Sequence, residues 1–595
     1  MKRIITAVLC LALILSLVAC SRNAAPEQRD TKAQSYEDVY RAISGYRAKS
    51  NFGGELSDGA VYNFADLRVD DAEEAKAYSD TNVQVEGIDE GDIVKTDGEY
   101  IYAIMDSELR VYRADGENTK QESYVNFGDE DLYAQEMYLC GDRLAVICCE
   151  YDGYFACCDR IEDDAEASTP KVKVLYYDIS NPAEINYVNC VGQDGYYVSS
   201  RVYDGDLYVV TNYFLINDIE EDKPETYIPR TYCDDEGTLT DADCICITAE
   251  LNGDNYTVAV KYDAESGAEK GNLSFLGNAD TLYMSKNNLY IASCSYFDDT
   301  SEEYEEDGYT VTDTKSGTKT AVYRIDLATM KSAANTTVLG LLKDQFSMDE
   351  FDGNLRLVTT SEVSSFSTYY DKKHDFTNIE WHEEDCSTST GLYILDSGLN
   401  TLAKIEGLAE DEYIRSVRFD GDYVYFCTFR QVDPLFAVNV SDPTKPEILS
   451  ELKISGFSEY LHPWSENLLF GLGMEADEAT GRTESMKLVM FDISNKADVK
   501  ALHTLNIDGY YSEALYNHHA LLISPEKGII GFGTDSAFEI YGYDEGSGFS
   551  RLASVSLNND WNAPRGMYIG DFAYIIDNSG VTVIDMQSFE IITKI

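Results

Sequence analysis

Histidine is the scarcest side chain here with acid–base or metal-binding chemistry: the 595-residue chain has six, His374, His382, His462, His503, His518 and His519. The richest cluster of ligand types falls at 371–386, where His374, His382, Glu383, Glu384, Asp385 and Cys386 lie within one short stretch. Imidazole, carboxylate and thiolate together suit a transition metal. The histidines lack the one-turn spacing with an intervening Glu that sets two imidazoles on one helix face. The segment also sits in a polar insertion between strands, so a solvated loop is expected. His374, His382, Glu383 and Asp385 are the residues that would ligate if it held an ion, and no metal site is assigned. His518 and His519 are adjacent, and on a strand neighbours point to opposite faces, so a structural role is expected for them.

Carboxylates are too numerous to locate a site by composition: Asp and Glu total 107. Paired-acid glycoside chemistry therefore has no address in the sequence. The acidic insertions 218–243 and 298–307 lack the alternating Asp/Asn and glycine pattern of a calcium loop and read as solvated, with weak calcium binding as their one cofactor chemistry. No cofactor is predicted. No nucleophile elbow, P-loop or dinucleotide-binding glycine pattern stands in a strand–turn–helix context.

Against 107 acidic residues stand 46 Lys and Arg, a formal net charge of -61. A surface this negative repels phosphate, and without a clustered basic run nucleic acid is excluded as a partner. An apolar fraction of 44% with 12% aromatic residues excludes wholesale disorder. Tyrosine, at 45 residues, exceeds phenylalanine at 23 and tryptophan at 3. Pairs two apart, such as Tyr100/Tyr102 and Tyr423/Tyr425, share a sheet face and are expected to pack between sheets. Exposed tyrosines with Trp381, Trp464 or Trp561 would be the residues to stack on a sugar or peptide.

The N-terminus carries Lys2-Arg3, an apolar run from Ile4 to Val18, and Leu17-Val18-Ala19-Cys20. This resembles a bacterial lipobox, which implies cleavage before Cys20 and lipid on its thiol. Residues 1–19 would then be a lipoprotein signal peptide and 20–34 a polar tether. The remainder would lie on the extracytoplasmic face of a bacterial membrane, held by the Cys20 lipid. In that compartment cysteines favour disulfides. Cys148-Cys149 and Cys157-Cys158 flank a plausible turn and form a candidate disulfide cluster; a thiolate metal site is the competing reading, opposed because adjacent strand residues face apart.

The elements that must position all of these are strands. Ser416-Val417-Arg418-Phe419, then Asp420-Gly421-Asp422, then Tyr423-Val424-Tyr425-Phe426 is a hairpin written in residue types, with Asp-Gly supplying the turn. The turn recurs at Asp97-Gly98, Gly141-Asp142, Asp204-Gly205, Asn287-Asn288, Asp352-Gly353 and Gly570-Asp571, and two further units keep the strand pattern without it. A closing Asp-Ile-Ser-Asn pattern recurs at 178–181 and 492–495. Nine candidate modules of four short strands imply an all-β protein, a single β-propeller over 90–595 with acidic loop insertions. Propellers usually have about four to eight blades, so eight are expected, within a range of seven to nine. Residues 35–89 form an N-terminal segment with one short helix, where Ser35 and Asp38 make a capping box and Tyr36, Val39, Tyr40 and Ile43 fall on one face that would pack on the propeller.

The run YSDTNVQVEGIDEGDIVKTDG at 78–98 resembles the signature opening of a family of secreted or lipid-anchored prokaryotic proteins with a C-terminal β-propeller domain distantly related to WD40 repeats. It departs at Gly91, where alanine is expected. The resemblance implies the fold and carries no catalytic residue. The reading that follows is a lipid-anchored cell-surface propeller that binds or scaffolds an extracellular protein, peptide or glycan. The alternatives are a glycan-active enzyme with paired carboxylates on the propeller face, or a metal-binding module.

Overall fold

The computed structural model describes residues 31–50, 78–79, 81–105, 108–127, 132–150, 169–234, 236–248, 251, 253–430, 433–477, 480–557 and 564–595. The expected signal peptide at 1–19, Cys20, Cys157, Cys158 and Trp561 lie outside them.

The turn residues do what their chemistry dictates. Asp204 and Gly205 have φ of 52° and 76°, and Asp352 and Gly353 have 51° and 75°, the paired positive values of a two-residue hairpin that matches strand twist. Burial along the strands that follow explains their composition. Asp206–Tyr213, a second strand, is buried along its whole length, whereas the outermost strand Lys331–Leu339 alternates between exposed and covered residues. The former therefore holds an apolar run at its centre, Leu207 to Val210, with Asp206, Thr211 and Asn212 buried at its ends, and the latter is covered on one face only.

Four-stranded antiparallel meanders follow one another at 94–126, 132–194, 196–276, 281–339, 348–408, 413–454, 457–507, 521–556 and 565–594. Five form simple four-stranded sheets. The second gains a hairpin from the insertion at 218–243, Arg230–Cys233 with Glu236–Leu239. The third gains Ile245–Ile247 and the short strand Thr31–Lys32, so the end of the expected tether is seated on a sheet, with Ala33 buried. The fourth and fifth share one ten-stranded sheet. Their strands Tyr309–Asp326 and Asn354–Asp371 are each 18 residues long, overrun the meanders, and pair with each other over 310–317 and 363–370. This projecting arm also carries Tyr304–Glu306 and Phe376–Trp381, so both the 298–307 insertion and the 371–386 stretch contribute strand to it.

Apolar clusters join each meander to the next. Val111 and Val146 share one, Val174 and Val209 another, then Phe275 with Leu289 and Tyr290 with Leu357. A large cluster runs through Val358, Phe426, Phe470 and Phe532, and Ile540 meets Ile575. Met567, Tyr574 and Val583 of the last meander pack with Ile101 and Tyr112 of the first, so the succession closes on itself. The helix α1 (Tyr36–Ser50) starts as expected. The Asp38 N–H donates to Ser35 Oγ at 3.3 Å, and the Ser35 N–H donates to Asp38 Oδ2 at 3.1 Å. Val39 and Ile43 are fully buried in the core of the second and third meanders.

Candidate functional site

The segment 78–92 crosses the middle of the ring. Tyr78 bridges Ile569 of the ninth meander, Asn82 reaches His518 at the entry to the eighth, and Gln84 reaches the fifth. Asp89 bridges Val202 of the third and Asp92 bridges Met137 of the second. Fifteen residues can touch five meanders distributed around a ring only by spanning its interior. The signature run is therefore an axial strap, and its backbone pairs with the first strands of the meanders, which line the axis.

Several of the strap's polar residues are buried and paired. The Gln84 side chain donates to the carbonyls of Gln345 (3.0 Å) and Met348 (3.2 Å). Lys95 donates to Asp89 Oδ1 at 2.7 Å and to the carbonyl of Glu90. Arg565 Nε donates to both carboxylate oxygens of Asp92, at 3.0 and 3.1 Å, and its Nη2 donates to Glu513 at 3.2 Å. Burial pushes the Asp92 carboxyl up despite the opposing Arg565 charge. Glu136 accepts from Tyr197 and Ser200, and burial raises its carboxyl as well. Its side chain fills the space beside Gly91: a Cβ there would lie 2.2 Å from Glu136 Cδ. The departure from alanine at 91 thus accommodates an acid on the neighbouring sheet.

At the centre of this network stand Glu90, His518 and His519, whose ligand atoms lie within 4.8 Å of one another. Glu90 Oε2 is 3.5 Å from His519 Nε2 and 3.9 Å from His518 Nε2. Arg201 Nε pairs with the other oxygen, Oε1, at 3.3 Å, and the Gln84 N–H donates to that same oxygen at 3.3 Å. Burial, with the charges of Arg565, Lys95 and Arg201 adding to it, holds the His519 imidazole far below its usual range, hence neutral. This corrects the expectation that the two histidines face apart. They are on a 3-10 turn, His518–Ala520, capped by Asn517, whose side chain accepts from the His519 N–H at 3.0 Å; the two rings are 3.7 Å apart. Asn517 before the pair is the sequence signal for a turn rather than a strand. Glu90 carried no such signal, because a buried acid in a crossing strap follows no period.

The other candidates separate. His374 Nδ1 faces Asp371 Oδ2 at 2.5 Å, and His382 Nε2 meets Ser367 Oγ at 2.7 Å. Glu383 and Asp385 are exposed on a short turn. Among the described residues these four form no metal-ligating group. Cys148 and Cys149 are both buried on Arg143–Glu150, opposite Ala134 and Tyr133, and the other two cysteines of the candidate disulfide cluster lie outside the described residues.

A second surface lies on the arm. By register, Tyr296, Phe366, Ile379 and Trp381 share one face, and the Phe366 and Trp381 rings are 4.9 Å apart. Tyr296 is 67% exposed, Trp381 57% and Ile379 50%. Beside Tyr296 is a cleft of about 340 Å³, lined also by Gly317, Glu362, Cys386 and Asp411.

A closed succession of four-stranded meanders is the architecture of a β-propeller. The chain belongs to the beta propeller domain family, whose model matches residues 78–589 and so takes in the axial strap. It is similar to an uncharacterized protein of Archaeoglobus fulgidus, at 29% identity over 86% of this chain and 84% of the relative. A second uncharacterized protein, of Methanocaldococcus jannaschii, is 24% identical over 89% of this chain and 85% of its own length. Among solved structures, a putative 6-phosphogluconolactonase of Bacteroides fragilis aligns at 12% identity and a TM-score of 0.30, over 57% of this chain and 89% of that one. A periplasmic gluconolactonase of Pseudomonas aeruginosa aligns at 14% and 0.30, over 57% and 91%. At those scores neither likeness carries an argument about activity.

Proposed function

We propose that this protein is a lipid-anchored cell-surface β-propeller that acts as a binding or scaffolding module for an extracellular protein, peptide or glycan. The ring would have nine blades, one per meander, with its membrane attachment at Cys20 and its relation to WD40 repeats a distant one. The observation that carries the binding reading is the arm. Three large side chains, Tyr296, Ile379 and Trp381, stand exposed on one face of a sheet that extends past the ring. Large exposed apolar side chains on one sheet face mark interaction sites, and the Phe366 and Trp381 rings suit a sugar face or an aromatic peptide. The axis, in contrast, is occupied by the chain's own strap.

Two measurements test this. Detergent partitioning of the intact chain should place it with membranes, and Cys20→Ser in a chain that begins at residue 20 behind an ordinary cleavable secretory signal should release it; equal partitioning of both would refute the anchor. Co-sedimentation of the Cys20→Ser protein with purified envelope polysaccharide, and titration with envelope peptides, should detect binding that Trp381→Ala weakens at least tenfold, about 1.4 kcal/mol. An exposed substitution of this kind changes stability by about 0.5 kcal/mol or less. Unchanged binding by Trp381→Ala and Tyr296→Ala together would move the site off the arm.

A further inference from the structure

The strap and the turn at 518–520 bring two imidazoles and one carboxylate to a single buried point. We propose that Glu90, His518 and His519 form a binding site for a divalent transition-metal ion of the zinc type, one that pins the axial strap to the eighth meander.

Three observations carry this beyond proximity. Glu90 is 2% exposed, and its Oε2 has no hydrogen-bond partner although it is aimed at both rings. His519 Nε2, also buried, has none either and sits 3.5 Å from that oxygen. Ligand atoms about 2 Å from a tetrahedral ion lie a little over 3 Å apart, so the separations of 3.5 and 3.9 Å need only a small contraction. An unpartnered carboxylate oxygen in a buried site costs free energy, and an ion removes that cost.

The neighbouring groups hold these side chains in place. Arg201 and the Gln84 N–H hold Glu90 by Oε1, leaving Oε2 directed inward. Asn517 fixes the backbone of His519 and donates in turn to Glu513 at 2.6 Å. His518 Nε2 donates to the Asn82 carbonyl at 3.0 Å, and loading exchanges that bond for one to the ion. Charge permits it: Asp89, Glu90, Asp92, Glu136 and Glu513 face Lys95, Arg201 and Arg565, five carboxylates against three cations. Nitrogen donors select zinc, cobalt or nickel over calcium and magnesium, which take oxygen sets.

The test uses the whole mature chain as Cys20→Ser, produced in medium supplemented with zinc or cobalt(II), desalted and assayed for metal. One ion per chain is expected, with d–d absorption in the cobalt form and X-ray absorption showing imidazole and oxygen donors without sulfur. Glu90→Gln and His519→Gln should each lower occupancy at least tenfold, whereas the His374→Gln/His382→Gln double variant should keep it. Glu90→Gln strands Arg201 and can fail to fold; His519→Gln and spectroscopy of the unsubstituted chain then decide. Occupancy below a tenth of an ion per chain, sulfur ligation, or occupancy unchanged in His519→Gln would overturn the site.

Discussion

At the scale of single residues, Gly91 and Glu136 form a matched pair. A methyl group at 91 would overlap the Glu136 carboxyl, which is already held by Tyr197 and Ser200. Gly91→Ala should therefore destabilise the protein by about 1–3 kcal/mol, the usual range for overpacking a filled site. Glu136→Ala removes the obstruction and leaves Tyr138 and Tyr197 each hydrogen-bonded to Ser200 Oγ at 2.8 Å. The double variant should thus recover most of the loss, a coupling that urea unfolding midpoints of the four proteins will measure. Equal losses in Gly91→Ala with and without Glu136 would place the cost in the backbone. The residue type at 91 was legible as a departure from the signature, but its reason was not, because Glu136 comes from another strand 45 positions away.

At the scale of elements, the strands and their turns were readable because local chemistry decides them. Asp-Gly supplies positive φ, and a second strand flanked by two others carries an apolar run at its centre, as Leu207 to Val210 does. The helix was readable for the same reason: its cap and its apolar face are both local. The arm was not. Its strands are rich in Thr, Ser and Asp, as in 310–316, where Thr310 and Thr314 are buried and Asp313 and Lys315 exposed, so no hydrophobic alternation marks them. Short turns such as Gln345–Ser347 were equally silent, yet this one supplies the Gln345 carbonyl that receives Gln84 of the strap. Burial pushes the carboxyl of Asp344, at its start, up to about 6, with Lys343 and the N–H groups of Phe346 and Ser347 opposing. The native state then binds the proton more tightly than the unfolded chain. Its contribution is complete below pH 3.8, the ordinary value, and is lost as pH rises through about 6. Two units correspond to at most about 3 kcal/mol. Asp344→Asn should stabilise the protein above pH 7 relative to its effect at pH 4, and denaturation across that range will measure the difference; a pH-independent effect would contradict the burial argument.

At the scale of the molecule, repeat counting reached the ring but not its centre. Nine modules were visible, and the preference for eight came from what propellers usually do rather than from any residue; the described residues form nine four-stranded meanders. The strap's route was invisible, since a segment that touches five meanders once each has no periodicity to detect. Closure follows from two contacts of that route: the last meander packs on the first through Met567 and Ile101, and Arg565 pairs with Asp92 just before the first meander begins. Leaving Asp92 buried without its guanidinium should cost about 3–5 kcal/mol, as for other broken buried pairs. Arg565→Ala is therefore expected to lose stability on that scale, and the deficit should shrink toward acidic pH, where Asp92, already raised by burial, takes up a proton. Arg565→Met/Asp92→Asn removes both charges and should restore a large part of the loss at neutral pH. If Arg565 joins the ends of the ring, limited proteolysis of Arg565→Ala should cut first near the two termini of the propeller, while the double variant stays protected. Early cleavage in the middle meanders instead would mean that apolar packing alone closes the ring and that the pair stabilises only its immediate surroundings.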